Sequence, residues 1–195
     1  GMPAYAVTVV VEGSDQERSS GKVKVPTAQA SGRVEISNLN ETEVVLPAGT
    51  VFATTGMDVI RYESVREVRL PAGVGSKAEV EIRALIPGTS GNNPSGTVRA
   101  MEGTVGLSVA VDNPRPIGGG SDQLSPGPSA DDYTHLRERL LDSLRETAIA
   151  DLKRNLGAES RLLEGTVSAA KVMSENLSPS AGQPGDYARL TMQVE

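Results

Sequence analysis

This chain of 195 residues has no cysteine, no tryptophan, one phenylalanine and one histidine. Without cysteine there is no disulfide, no thiolate metal site and no thiol nucleophile. The compartment stays open, because a cysteine-free chain folds equally well in reducing and oxidising surroundings. His135 stands alone, and its helical neighbours are Arg139 and Asp142 rather than a serine set in a nucleophile elbow, so no triad can be assembled. Its ordinary role is that of a solvated helix histidine. No run is long and apolar enough for a membrane span or a signal-peptide core. Positive charge is in the minority: 19 Lys and Arg against 25 Asp and Glu, a net charge of −6 and no basic stripe, which disfavours general nucleic-acid binding. Aromatics make up 3% of the chain, too few for a stacked sugar platform. Valine, leucine and alanine must therefore fill the core.

The length fits one or two domains. Gly (21) and Pro (12) are raised, as many turns between short strands would require. Alternation of apolar and polar residues marks strands at Tyr5–Glu12, Lys22–Pro26, Gly32–Asn38, Val51–Thr55, Asp58–Tyr62, Lys77–Arg83, Thr97–Met101 and Leu107–Val111. The polar stretch from Gly13 to Gly21 reads as a loop. Leu-Pro-Ala-Gly occurs twice, at Leu46–Gly49 and Leu70–Gly73, each time where a β run enters a tight turn. Short strands at this spacing predict an antiparallel β-sandwich or barrel-like region.

Pro114–Pro128 reads as a Pro/Gly-rich linker. Beyond it, Ser129 with Asp132 three residues later forms a helix start, and Tyr133, Leu136, Leu140, Leu144, Ala148 and Leu152 recur every three or four residues. The stripe ends near Leu156, with Gly157 in the capping position. Glu164–Glu175 and Tyr187–Glu195 read as two further strands. The fold class is thus α+β and mainly β. A β-rich domain spans 1–113, a linker 114–128, and a helix plus β-hairpin 129–195, the last read as an incomplete α+β domain. Gly1 ahead of Met2 reads as a remnant of tag removal, and the strand patterns near both ends read as a piece of a longer protein.

Two glycine segments carry the strongest signal. The first is Pro87-Gly88-Thr-Ser-Gly91-Asn92-Asn-Pro-Ser-Gly96. The second is Asn113-Pro-Arg-Pro-Ile-Gly-Gly119-Gly120-Ser-Asp122, after which the helix pattern begins. In this order the chain resembles the baseplate J-like family, whose members assemble phage tails and contractile injection machines. The core likeness covers about Val80 to Leu144. Leu124 stands where the family often has an acidic residue, and Ser125–Pro128 lengthens the approach to the helix. Gly32–Asn38 and Leu46–Phe52 further resemble β modules that precede this core in large bacterial members. The resemblance implies a non-enzymatic structural part placed in a virion or injection-machine baseplate, where related proteins form wedges joining sheath, tube and fibres. Its partners would be other baseplate proteins, or further copies of itself, with no nucleic acid and no membrane contact by this segment. The alternative is a cell-envelope or surface module of adhesin-like β domains, but such repeats would not need the long helix.

The residues themselves offer no competing chemistry. The glycines lack the lysine and following helix of a phosphate-binding loop. Asp122, Asp131 and Asp132 do not have EF-hand spacing, and acids at a helix start have a dipole to stabilise. No catalytic residue, cofactor site or metal site is assigned. Pro87, Gly88, Gly91, Asn92, Gly96, Asn113, Gly119, Gly120 and Asp122 are read as structural turn residues. The pair Gly91-Asn92 is expected to supply a positive φ to a tight turn.

Overall fold

The computed structural model describes residues 3–195; Gly1 and Met2, and with them the reading of Gly1 as a tag remnant, lie outside the described residues. The strands in chain order are β1 (Val11–Arg18), β2 (Gly21–Ala28), β3 (Ser31–Asn38), β4 (Val44–Leu46), β5 (Val51–Thr54), β6 (Arg61–Ser64) and β7 (Val68–Leu70). They continue as β8 (Lys77–Ala84), β9 (Val98–Met101), β10 (Val109–Asp112) and β11 (Ser121–Gly127). Helix α1 (Ala130–Asn155) follows, and then β12 (Val172–Ser178) and β13 (Tyr187–Val194). The fold is mainly β with one long helix in the C-terminal half, as the patterns predict. Two compact units form: Lys24–Gln123, and the residues up to Val23 together with Leu124–Glu195.

The Lys24–Gln123 unit is a six-stranded antiparallel sheet in the order β10-β3-β8-β6-β5-β9. The two terminal strands, β10 and β9, come back to each other, so the sheet is a nearly closed barrel. Alternation explains it. In β8 the burial runs outward and inward in turn, with Val80, Ile82 and Ala84 buried and Glu79, Glu81 and Arg83 outside. Phe52, Tyr62, Ile36, Leu70, Val80 and Ile82 are fully buried in one cluster. Each such side chain contributes on the order of 1.5–3 kcal/mol relative to exposure. Outside, Arg33–Glu79 (3.1 Å), Lys77–Glu35 (3.1 Å) and Arg83–Glu63 (2.8 Å) are cross-strand ion pairs. In solvent such pairs are worth about 0–1 kcal/mol each. The two Leu-Pro-Ala-Gly copies serve one ribbon: β4 pairs with β7, Leu46 opposite Val68 and Val44 opposite Leu70, and Gly49 and Gly73 turn the chain at φ 84° and 110°.

The other unit is a three-stranded antiparallel sheet, β1-β13-β12, with α1 on one face. Leu136, Leu140, Leu144 and Ala148 meet Ala188, Leu190, Met192 and Val194 in one core. Gly13 lets the helix in, since a Cβ there would sit 3.1 Å from Leu144 Cδ2. The helix begins in a capping box. Ser129 Oγ accepts from Asp132 N (3.1 Å), and Asp132 Oδ2 accepts from Ser129 N (2.8 Å). Ser20 adds its own N–H (2.9 Å) and hydroxyl (2.7 Å) to the same carboxylate. These donors, led by the Ser20 backbone N–H, hold the Asp132 carboxyl at a pKa of about 2.

Several expectations are corrected. Gly13–Gly21 is not a loop: most of it is β1, whose helix-facing side is Gly13, Asp15 and Glu17, the two acids paired with Arg139 of α1. Residues 3–10 are not a strand, and the expected strand at Tyr5–Glu12 starts only at Val11. β2 runs through Pro26 instead of stopping at it. The region read as linker, 114–128, holds β11, which pairs with β2. The expected break at 113/114 does not coincide with the compact units, because β1 pairs with β13 and joins the first part of the chain to the last. Glu164–Thr166 is a 3-10 turn, and the strand there starts at Val172. Leu156, with φ −78°, closes the helix, and Gly157 does not adopt a left-handed conformation.

Candidate functional site

The two glycine segments meet at one end of the barrel. β8 and β9 are joined by residues 85–97, and β10 and β11 by residues 113–120, so both segments are loops of the same unit. Asn93 and Ile117 exchange both backbone hydrogen bonds, Asn93 N to Ile117 O at 3.1 Å and Ile117 N to Asn93 O at 2.9 Å. Gly118 and Ser31 do the same at 2.9 and 3.2 Å.

Asn113 is fully buried and uses its whole amide. Its Oδ1 accepts from Thr97 N (2.9 Å) and Val98 N (2.8 Å), and its Nδ2 donates to Pro94 O (2.9 Å) and Arg115 O (3.0 Å). Gly96 N donates to Asn113 O at 2.8 Å. These bonds lie where β10 ends and β9 begins, so one side chain fastens the seam of the barrel. A buried amide of this kind is tolerable only because every donor and acceptor is matched.

Asn92 does on the outside what a neighbouring strand would do. Its Nδ2 donates to Gly120 O (2.9 Å), and its Oδ1 accepts from Gly120 N (2.8 Å). A Cβ on Gly120 would overlap the carbonyl oxygen of Gly88 and sit 2.9 Å from Asn92 Oδ1. Asp122 accepts from Thr89 N (3.2 Å) and Thr89 Oγ1 (2.7 Å). Gly88, with φ 114°, packs against Pro26 and Asp122. Gly96 and Gly119 also have positive φ (77° and 85°), and both face open space. Pro87 is half-buried and ends the run from β8.

The expected positive φ at Gly91 or Asn92 is absent. Asn92 has φ −78°, and Gly91 lies in a 3-10 turn over Thr89–Gly91. Glycine is required at 91 for space: a Cβ would lie 2.8 Å from Ala30 Cβ and 3.0 Å from Ala84 Cβ. The left-handed positions are one turn to either side, at Gly88 and Gly96. Tyr62 completes the group. Its hydroxyl donates to Gly91 O (2.7 Å) and accepts from Asn93 Nδ2 (2.6 Å), while burial pushes its pKa up.

Asn38 was not singled out from the sequence. It is buried, its Nδ2 donates to Thr42 O (2.8 Å) and Pro71 O (2.9 Å), and its Oδ1 accepts from Asn40 N (2.9 Å). The available signal was an Asn closing the alternating run of β3 directly before a polar turn.

His135 is exposed on α1. Among the described residues no group of three or more His, Asp or Glu is placed to hold a metal ion, and no helix is long and apolar enough to cross a membrane. A shallow groove of about 170 Å³ is lined by Val59, Ile60, Arg61, Leu85, Ile86 and Ser90. Its one charged group, Arg61, is already paired with Glu102 at 2.5 Å. The polar side chains of the loop cluster bond to one another and to backbone, leaving a rigid, internally satisfied knot rather than an activated group.

None of the curated proteins matches this chain. Residues 33–120 do match a family model, that of the Baseplate J-like protein barrel domain. The match runs from β3 through the seam at Asn113 to Gly120, and it takes in both glycine segments up to two residues before Asp122. The barrel of this chain is therefore similar to the Baseplate J-like protein barrel domain, the family that its glycine segments resemble.

Proposed function

We propose that this chain is a non-enzymatic structural component of a phage-tail-like or contractile injection baseplate, working through protein–protein contacts. The observation that carries the reading is the baseplate J-like barrel with its family-like loops tied into one knot. Family proteins of this kind are structural parts of tails. The loop cluster supports a mechanical role. Asn92, Asn113 and Asp122 tie the loops to one another and to the barrel seam through side-chain hydrogen bonds. The alternative of a glycan-holding envelope module is less well supported, since the two aromatics of the barrel, Phe52 and Tyr62, are withdrawn into its core.

The test is a pull-down with the full-length protein from its native host, with partners identified by mass spectrometry. Tail or injection-machine components are the expected result. A reproducible turnover by an isolated monomer, abolished by changing one polar side chain, would overturn the reading.

A further inference from the structure

We propose that Ala4–Thr8 of one copy of this chain adds as a strand to the free edge of β12 in a second copy. The inference goes beyond the baseplate reading and stands independently of it.

Two unmet halves of a β-pair occur in the same unit. The first is β12, the terminal strand in the order β1-β13-β12. Among the described residues nothing pairs with its outer edge, and all seven of its residues are exposed. The apolar face of the sheet nevertheless continues onto it. Val172 lies opposite Val194 and Leu177 opposite Leu190, yet Val172 is 38% and Leu177 43% exposed. An open edge presents unpaired N–H and C=O groups, and extended backbone is what satisfies them.

The second half is the segment before β1. Tyr5, Val7 and Val9 alternate as a strand should, and the segment is rich in residues that favour sheets, but residues 3–10 have no strand partner. Tyr5 is 68% and Val7 41% exposed, and Val9 alone packs on the helix-sheet core. With Val9 retained as the anchor and only the Tyr5 hydroxyl held, by Ser160 Oγ at 3.2 Å, the backbone of Ala4–Thr8 is free to pair over close to the usual strand length. Its own β12 lies across the whole sheet from β1, so the natural acceptor is another molecule.

Charge selects this occupant over the other two edges a second copy could offer. Pairing two β12 strands antiparallel about their centre would set Glu175 against Glu175. The outer edge of β1 carries Glu12 beside Asp15 and Glu17, and Arg139 alone is shared between the last two. Ala4–Thr8 carries no charge, and Glu175 is already neutralised by Arg137 at 2.8 Å. With Ala6 set antiparallel against Asn176, Tyr5 would cover Leu177 and Val7 would lie beside the aliphatic stem of Glu175, while Ala4 and Thr8 would lie on the polar face beside Ser178 and Ser174.

The cysteine-free chain allows a direct test. Ala6→Cys and Asn176→Cys are made separately in the full chain, mixed, and treated with a short bismaleimide over a broad dilution series. The expected result is a cross-link that forms in the mixture and not with either variant alone. Adding Val7→Pro to the Ala6→Cys chain should abolish it, since proline removes a ladder donor from an exposed segment that the fold does not need. Asn176→Cys linking to itself, a double variant linking within a monomer, or no link with a monomeric mass at every concentration would each overturn the proposal. Failure here with recovery of baseplate components in the pull-down overturns this inference alone.

Discussion

Replacing Asn113 by alanine tests whether one amide fastens the barrel seam. The change removes four hydrogen bonds, two accepted from Thr97 and Val98 and two donated to Pro94 and Arg115. The Val98 N–H is buried with its residue, and Asn113 itself has no exposed surface. Each buried group left without a partner costs about 1–3 kcal/mol. Water entering at the loop side satisfies some of the four, so the expected loss is about 3–5 kcal/mol, at the upper end of single substitutions. Because the chain forms two compact units, a single unfolding midpoint is not a clean readout. Hydrogen exchange followed by mass spectrometry on peptides covering β9, β10 and the 113–120 loop isolates the barrel. Protection should fall most in β9 and β10, while peptides from α1 and β13 keep theirs. Asn113→Asp keeps both acceptor bonds but points a carboxylate at two carbonyl oxygens, so it should be no better than alanine. A loss below about 0.5 kcal/mol, or equal loosening of both units, would refute the clasp.

Gly91→Ala should destabilise the barrel by about 1–3 kcal/mol through overlap with Ala30 and Ala84, and Gly96→Ala should act through its positive φ instead; exchange protection in barrel peptides reads both, and unchanged protection in Gly91→Ala would contradict the steric account. Leu140→Ala, in the centre of the helix stripe, should cost about 2–5 kcal/mol in the helix-sheet unit, read as lost exchange protection in β13 and α1. Asp132 has its folded pKa depressed to about 2 from an ordinary 3.8, so its contribution is present above pH 4 and is lost as pH falls from there towards 2. Circular dichroism at the helix band should show Asp132→Asn flattening that acid limb, and an unchanged limb would count against the capping network. Arg139→Ala removes partly exposed pairs to Asp15 (2.7 Å) and Glu17 (3.5 Å), so the loss should be about 1 kcal/mol.

Much of the fold was legible because burial imposes a period. β3, β8 and β13 alternate buried and open positions, and α1 places Leu136, Leu140, Leu144 and Ala148 on one face. Ser129 and Asp132 announced the helix start, since a capping box is a local arrangement of four residues. What depends on neighbours brought from afar was not legible. β1 looks like a loop from Gly13 onward, because its inward side is glycine and long polar side chains, and its apolar partners come from a helix more than a hundred residues later. The glycines of the two loop segments were visible as turn residues, but not which of them needs a left-handed backbone and which needs empty space. Gly91 is close-packed by Ala30 and Ala84, and Gly88 and Gly96 turn the chain. Residue type restricts the conformations that a local segment can adopt. Which of those conformations is taken, and which hydrogen bonds Asn92 and Asn113 complete, was decided only when barrel closure brought strands β9 and β10 together.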